Sequence, residues 1–127
     1  MKEEKMEASI EKLLKELTLE EKISMIHGAG LFRTAAVERL GIPALFMSDG
    51  PMGVRAEFAD DEWRNTGTTE DFVSYLPCNS AIASTWNRKL AKSAGQVLGE
   101  EARGRGKDII LAPGINIKRS PLCGRNF

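Results

Sequence analysis

The sequence predicts an α/β fold with parallel strands, and three observations carry that reading. Two short apolar runs, Ala44 to Met47 and Ile109 to Ala112, border Gly/Pro breaks, as buried strands do where they leave a sheet. Between them, a stretch from about Asn87 to Arg103 repeats its apolar residues at helical spacing. With a strand expected around Leu76–Ala83 ahead of that helix, strand, helix, strand in order makes a parallel crossover unit with Ile109–Ala112.

Ile10, Leu13, Leu14 and Leu17 stand three and four apart, so residues 7–16 can form one apolar helix face. Thr18 followed three residues later by Glu21 is a capping-box pattern. Leu19, Ile23 and Ile26 continue a second helix that Gly28 and Gly30 would end. Residues 34–40 form a short amphipathic segment stopped by Gly41 and Pro43, and the first strand follows. The polar stretch from about Ala56 to Tyr75 is long for a compact domain, and connections of that length are often functional. A second strand is expected around Leu76–Ala83. Thr85 or Asn87 then caps the long helix, which turns Leu90, Ala94, Val97 and Leu98 inward and breaks at Gly104-Arg105-Gly106. Ile109–Ala112 is the third strand, ended by Pro113-Gly114.

A chain of 127 residues holds one ordinary domain. With 42% hydrophobic and 28% charged residues, its composition is that of a soluble globular protein. Basic and acidic residues number 18 each, so no global field draws the chain to nucleic acid or to an anionic membrane; neither is expected as a partner. The charged N-terminus lacks the apolar centre of a secretory signal, and no stretch has the roughly 18 apolar residues of a membrane span. Cys78 and Cys123 match no metal spacing and no Cys-x-x-Cys pair, and are expected as free thiols. The expected location is cytoplasmic.

Ligands of parallel α/β folds sit beyond the carboxyl ends of the strands. Asp49 stands at such an end in "LFMSDGPMGVR", and "NIKRSPLCGRNF" follows the last strand. A carboxylate there can accept from two hydroxyls of a polyol, and an arginine can donate to them through its rigid fork. Asp49 with Arg55 and Arg125 would thus read hydroxyls. The other reading stays open: Asp-Gly is a routine turn dipeptide, and the arginines are surface charges.

Other residues read more plainly. His27 is the sole histidine, near a helix C-terminus, with no partner for nucleophilic catalysis. Asp60-Asp61-Glu62 has no second ligand cluster spaced around it and reads as a solvated loop, not a cation site. "RGRGK", Arg103 to Lys107, follows a helix where phosphate cradles precede one, so it reads as a C-cap. A nucleotide-binding module is disfavoured for the same reason: no Gly-rich loop joins a strand to a helix N-terminus. Trp63 and Trp86 could stack on a sugar, but Trp86 beside a helix cap is expected in the core.

The segments "LTLEEKISMIHG", "LGIPALFMSDGPMGVR" and "LPCNSAIASTWNRKLAKSAGQVLGEEARGRGKDIILAPGINIKRSPLCGRNF" resemble the start of a glycoside hydrolase family 3 enzyme of the β-glucosidase type. The resemblance runs over residues 17–127, leaving 1–16 as an N-terminal helical extension. It implies the N-terminal part of a (β/α)8 barrel, incomplete in this chain, and retaining, exo-acting hydrolysis of O-glycosyl bonds. It implies that Asp49 and Arg125 bind hydroxyls of the sugar in the −1 subsite, with Arg55 shaping that pocket. The substrate class it implies is a β-glucoside or oligosaccharide, with no cofactor and no metal. The family's Lys-His pair, nucleophile Asp and acid/base Glu fall beyond Phe127, so no catalytic carboxylate is assigned within these residues.

An incomplete barrel leaves a strand edge and an inner face uncovered, so the chain is expected to associate with copies of itself or with the remainder of the barrel. The alternative function is a non-catalytic carbohydrate-binding or assembly subunit that completes its barrel with another chain.

Overall fold

The computed structural model describes residues 2–56, 59, 62, 64, 72–116 and 122. Helices α1 (Lys2–Glu16) and α2 (Leu19–Met25) lead into strand β1 (Met47–Asp49). Helices α3 (Asn79–Ser84) and α4 (Arg88–Gly104) then return the chain to β2 (Ile109–Leu111). The two strands pair in parallel with Met47 opposite Ile109, Ser48 opposite Ile110 and Asp49 opposite Leu111. The α/β reading therefore holds, but the crossover to β2 starts from β1 and not from the strand expected at Leu76–Ala83.

Helix α1 starts at Lys2, five residues earlier than its apolar spacing indicated. Glu3 and Glu4 fall in its first turn, where carboxylates favour the positive end of the helix dipole. The capping box of α2 is present in full: the Glu21 amide donates to Thr18 Oγ1 at 3.2 Å, and the Thr18 amide to Glu21 Oε2 at 2.9 Å. Arg39 reaches back from a 3-10 turn (Glu38–Leu40) to the same carboxylate, Nε to Oε1 at 2.7 Å, and Nη2 donates to the Glu16 carbonyl at 2.9 Å. That bond to Arg39 is the main reason Glu21 stays ionised below the usual carboxylate range. Helicity at 34–40 is limited to this 3-10 turn, closed by Gly41 at φ 66°.

The first strand is displaced from its expected position. Leu45 and Phe46 are taken up by an antiparallel cover: Thr34 N–H donates to the Leu45 carbonyl at 3.1 Å and Met47 N–H to the Phe32 carbonyl at 2.8 Å. Parallel pairing with β2 begins only at Met47, so Asp49 is the last residue of the strand instead of lying past its end. On the other side, Asp108 Oδ2 accepts the Phe46 N–H at 3.0 Å, and the Phe46 carbonyl accepts from the Asp108 and Ile109 amides at 2.8 and 3.1 Å.

The expected strand at Leu76–Ala83 is a helix from Asn79. "NSAIAS" has no period-two alternation, and Ser84 Oγ donates back to the Ser80 carbonyl at 2.8 Å, one helical turn earlier. Among the described residues the sheet has two strands, not three. Asn87 caps α4 as expected, its Oδ1 accepting from Lys89 and Leu90 at 3.0 and 3.1 Å. At the other end, Gly106 takes φ 70° and its amide bonds the Arg103 carbonyl while Lys107 N–H bonds Ala102, so "RGRGK" is a helix stop.

Trp86 is not in the core. It sits in the reversal between α3 and α4 at φ 52° and is 95% exposed, its indole directed to solvent. The core lies instead between the loop after β1, α4 and β2. Val54, Leu98 and Ala102 are buried there, with Val73, Leu76 and Ile110 packed against them. Among the described residues no helix is long and apolar enough to cross a membrane, and Cys78 is an exposed free thiol.

Candidate functional site

The carboxyl ends of β1 and β2 lie side by side, and the loops that leave them form the candidate site. Ser48 is 1% exposed at the centre of β1, and its hydroxyl donates to the Asp49 carbonyl at 3.2 Å. The Arg55 amide donates to that same oxygen at 3.1 Å, closing the loop 50–54 on itself. Two donors on one carbonyl fix the backbone of Asp49 and leave its carboxylate on an exposed residue. The loop closes because its glycines permit it. At Gly50, φ is 123° and a Cβ would lie 1.8 Å from the Gly53 carbonyl oxygen; at Gly53, φ is 145° and a Cβ would meet the Ser74 oxygen at 2.7 Å.

Val54 anchors the loop in the core at 1% exposure, and Arg55 follows it half-buried, with its Nε and Nη1 enclosed. The Arg55 guanidinium lies over the Phe32 ring, 4.0 Å from its centroid, a cation–π geometry that orients the side chain. The backbone thus brings Asp49 and Arg55 to one loop. Arg125 lies outside the described residues, as do Asp60, Asp61, Trp63 and Cys123. Glu62 pairs with Arg64 at 3.0 Å in the open. His27 is exposed, with Nδ1 2.9 Å from the Gly28 carbonyl oxygen. Among the described residues no three His, Cys, Asp or Glu side chains gather in a metal-binding group.

Two features escaped the sequence. One is Ser48, whose burial between Met47 and the exposed Asp49 no local pattern announces. The other is Asn79, the first residue of α3. Its Nδ2 donates to the Pro51 carbonyl at 3.2 Å, and its Oδ1 accepts the Gly114 N–H at 2.7 Å, so one amide side chain spans the loops after both strands.

Residues 6–127 match the model of the glycosyl hydrolase family 3 N-terminal domain. The chain belongs to this family. It is 46% identical over 121 residues to beta-glucosidase BoGH3A of Bacteroides ovatus, covering 95% of this chain and 16% of that protein. It is 43% identical over 122 residues to thermostable beta-glucosidase B of Acetivibrio thermocellus, again 16% of the relative. Among solved structures, beta-glucosidase 3B of Thermotoga neapolitana in complex with α-D-glucose superposes with a TM-score of 0.73 at 36% identity, over 92% of this chain and 18% of that one. The beta-glucosidase of Kluyveromyces marxianus in complex with glucose gives 0.70 at 34% identity, over 88% and 12%. The chain therefore spans less than a fifth of the length of these family 3 proteins.

Proposed function

We propose that the chain is the N-terminal segment of a β-glucosidase-type glycoside hydrolase, exo-acting and retaining, and that it supplies hydroxyl-binding residues of the −1 subsite. The single observation that carries the proposal is a carboxylate on a fixed backbone at the carboxyl end of β1, beside the loop that follows β2, in a chain of this family. In this role Asp49 accepts hydrogen bonds from two adjacent sugar hydroxyls. Arg55, braced by Phe32, lines the pocket, and Arg125 donates to the sugar from the segment after β2. Cleavage itself falls to a nucleophile and an acid/base carboxyl in the sequence beyond Phe127, which the family resemblance implies.

Residues 17–127 make the opening part of a (β/α)8 barrel in this reading, with 1–16 as a helical lead-in. The following β/α unit would cover β2 and the apolar groove of about 930 Å³ bounded by Ile82, Ala91, Ala94, Leu98, Ile110 and Ile115. Without that cover, the chain associates with itself through the same face.

Glucose titration of the chain, followed by NMR, tests the sugar site. Saturable shifts are expected in the chain and not in the Asp49→Ala variant, and equal binding by both removes Asp49 from the site. Turnover of an aryl β-glucoside by the chain alone would overturn the assignment of the chemistry to other residues.

A further inference from the structure

We infer that Asn79 is a positioning residue that sets the spacing between the two loops of the candidate site. The inference rests on the sugar-binding reading above for its functional half and on geometry for its structural half. The loop carrying Asp49 and the loop carrying Gly114 leave neighbouring strands, and parallel pairing ends at Asp49 and Leu111. Past that point the ladder no longer fixes their separation. The Asn79 side chain bonds both loops, from its amide nitrogen to the Pro51 carbonyl at 3.2 Å and from the Gly114 amide to its oxygen at 2.7 Å.

The residue type suits both bonds. A primary amide is the shortest neutral side chain that donates and accepts from separate atoms on one rigid plane. Its partners are a carbonyl and an N–H, so neither serine nor aspartate reproduces the pair with the same reach. The bond to Gly114 is the shorter, and a Cβ at Gly114 would press on Asn79 Oδ1 at 3.3 Å, so the two groups are already in close contact.

The backbone of Asn79 is itself held. It opens α3, whose Ile82 and Ala83 line the groove against α4, and the preceding Leu76 amide bonds the Met52 carbonyl at 2.7 Å. The loop after β1 is therefore gripped at Met52 by backbone and at Pro51 by Asn79. The loop after β2 is gripped at Gly114 by Asn79. Rotation of that one side chain would uncouple the Asp49 loop from the loop at Gly114. In the sugar-binding reading, the loops after β1 and β2 border the same sugar, and Asn79 holds them at one spacing.

The test uses the 127-residue chain with Asn79→Ala and Asn79→Asp. Amide exchange at Gly114 reports the clamp, exchange at Ile109 reports the sheet, and glucose titration reports the site. In Asn79→Ala, Gly114 exchange is expected to accelerate roughly tenfold, the ratio sustained by one hydrogen bond of ordinary net strength. Ile109 exchange stays unchanged and glucose affinity falls. Asn79→Asp keeps an acceptor for Gly114 and loses the donor to Pro51, so Gly114 protection is retained while glucose affinity still falls. Unchanged Gly114 exchange in Asn79→Ala overturns the clamp. Faster Gly114 exchange with unchanged glucose affinity, where Asp49→Ala abolishes binding, overturns the positioning role and leaves the sugar site standing. Absence of saturable glucose binding by the unaltered chain overturns the sugar reading, and with it the positioning half, while Gly114 exchange still decides the clamp.

Discussion

The two edges of the small sheet are treated differently. On the β1 side, the chain covers its own edge, with residues 32–34 folding back so that Phe32 accepts from Met47 and Thr34 both donates to and accepts from Leu45. On the β2 side, no described strand other than β1 pairs with Ile109–Leu111, and the apolar groove takes in Ile110 and the residues that follow β2. A covered edge resists pairing with other chains, whereas an open edge beside apolar surface invites it. Growth of the sheet is thereby directed to the β2 side.

Truncating the joint between core and groove should have the largest effect. Leu98 is 8% exposed, packs with Val54 and Ala102, and also lines the groove. Leu98→Ala removes about 2–5 kcal/mol, enough to abolish a cooperative urea transition in a chain with so small a core. A normal transition would show that the face is stabilised elsewhere.

The contrast between the edges is sharpened by paired surface substitutions. Ile115, 80% exposed on the groove, changed to Lys should weaken self-association at least tenfold, in line with the roughly 1.5–3 kcal/mol of one buried aliphatic side chain. Leu31→Lys, beside the covered edge, should leave it unchanged. Sedimentation velocity separates the two, and equal effects would dissolve the contrast.

The smallest effect belongs to Arg39→Gln. The folded pKa of Glu21 is lowered, chiefly by its bond to Arg39, so the pair adds stability above the ordinary carboxylate pKa and loses it as pH falls through the lowered value. The melting difference between chain and variant should therefore be greatest near neutrality and close at acid pH. A difference that persists in acid would mean that the Arg39 bond to the Glu16 carbonyl carries the effect instead.

What the sequence disclosed was what neighbouring residues decide. Thr18 with Glu21, Asn87 before α4 and Gly106 after it are local devices, each read from a few positions. Ile109–Leu111 was legible because a short run of branched residues ended by Pro-Gly has few other uses. The 76–83 segment misled because Ala, Ile and Ser favour no period strongly, and its helix is completed by packing on α4. The shift of β1 by three residues has a nonlocal cause, the cover from residues 32–34. At the site, Asp49 was legible as a charge ending an apolar run. Asn79 was not, because both of its partners lie about thirty residues away in sequence.

The peptide between Phe46 and Met47 faces both edges, its carbonyl turned to Asp108 and Ile109 and its N–H to Phe32. Closing the short segment back to Phe32 costs about 1 kcal/mol less chain entropy than closing the far longer one to Ile109. The order of assembly follows from this difference. The cover is expected to form first and to hold β1 extended, so that the distant strand docks on a template instead of finding a free coil. Pulse-labelled exchange during refolding should protect the Met47 amide before the Ile109 amide, and the reverse order would assign the nucleus to the crossover.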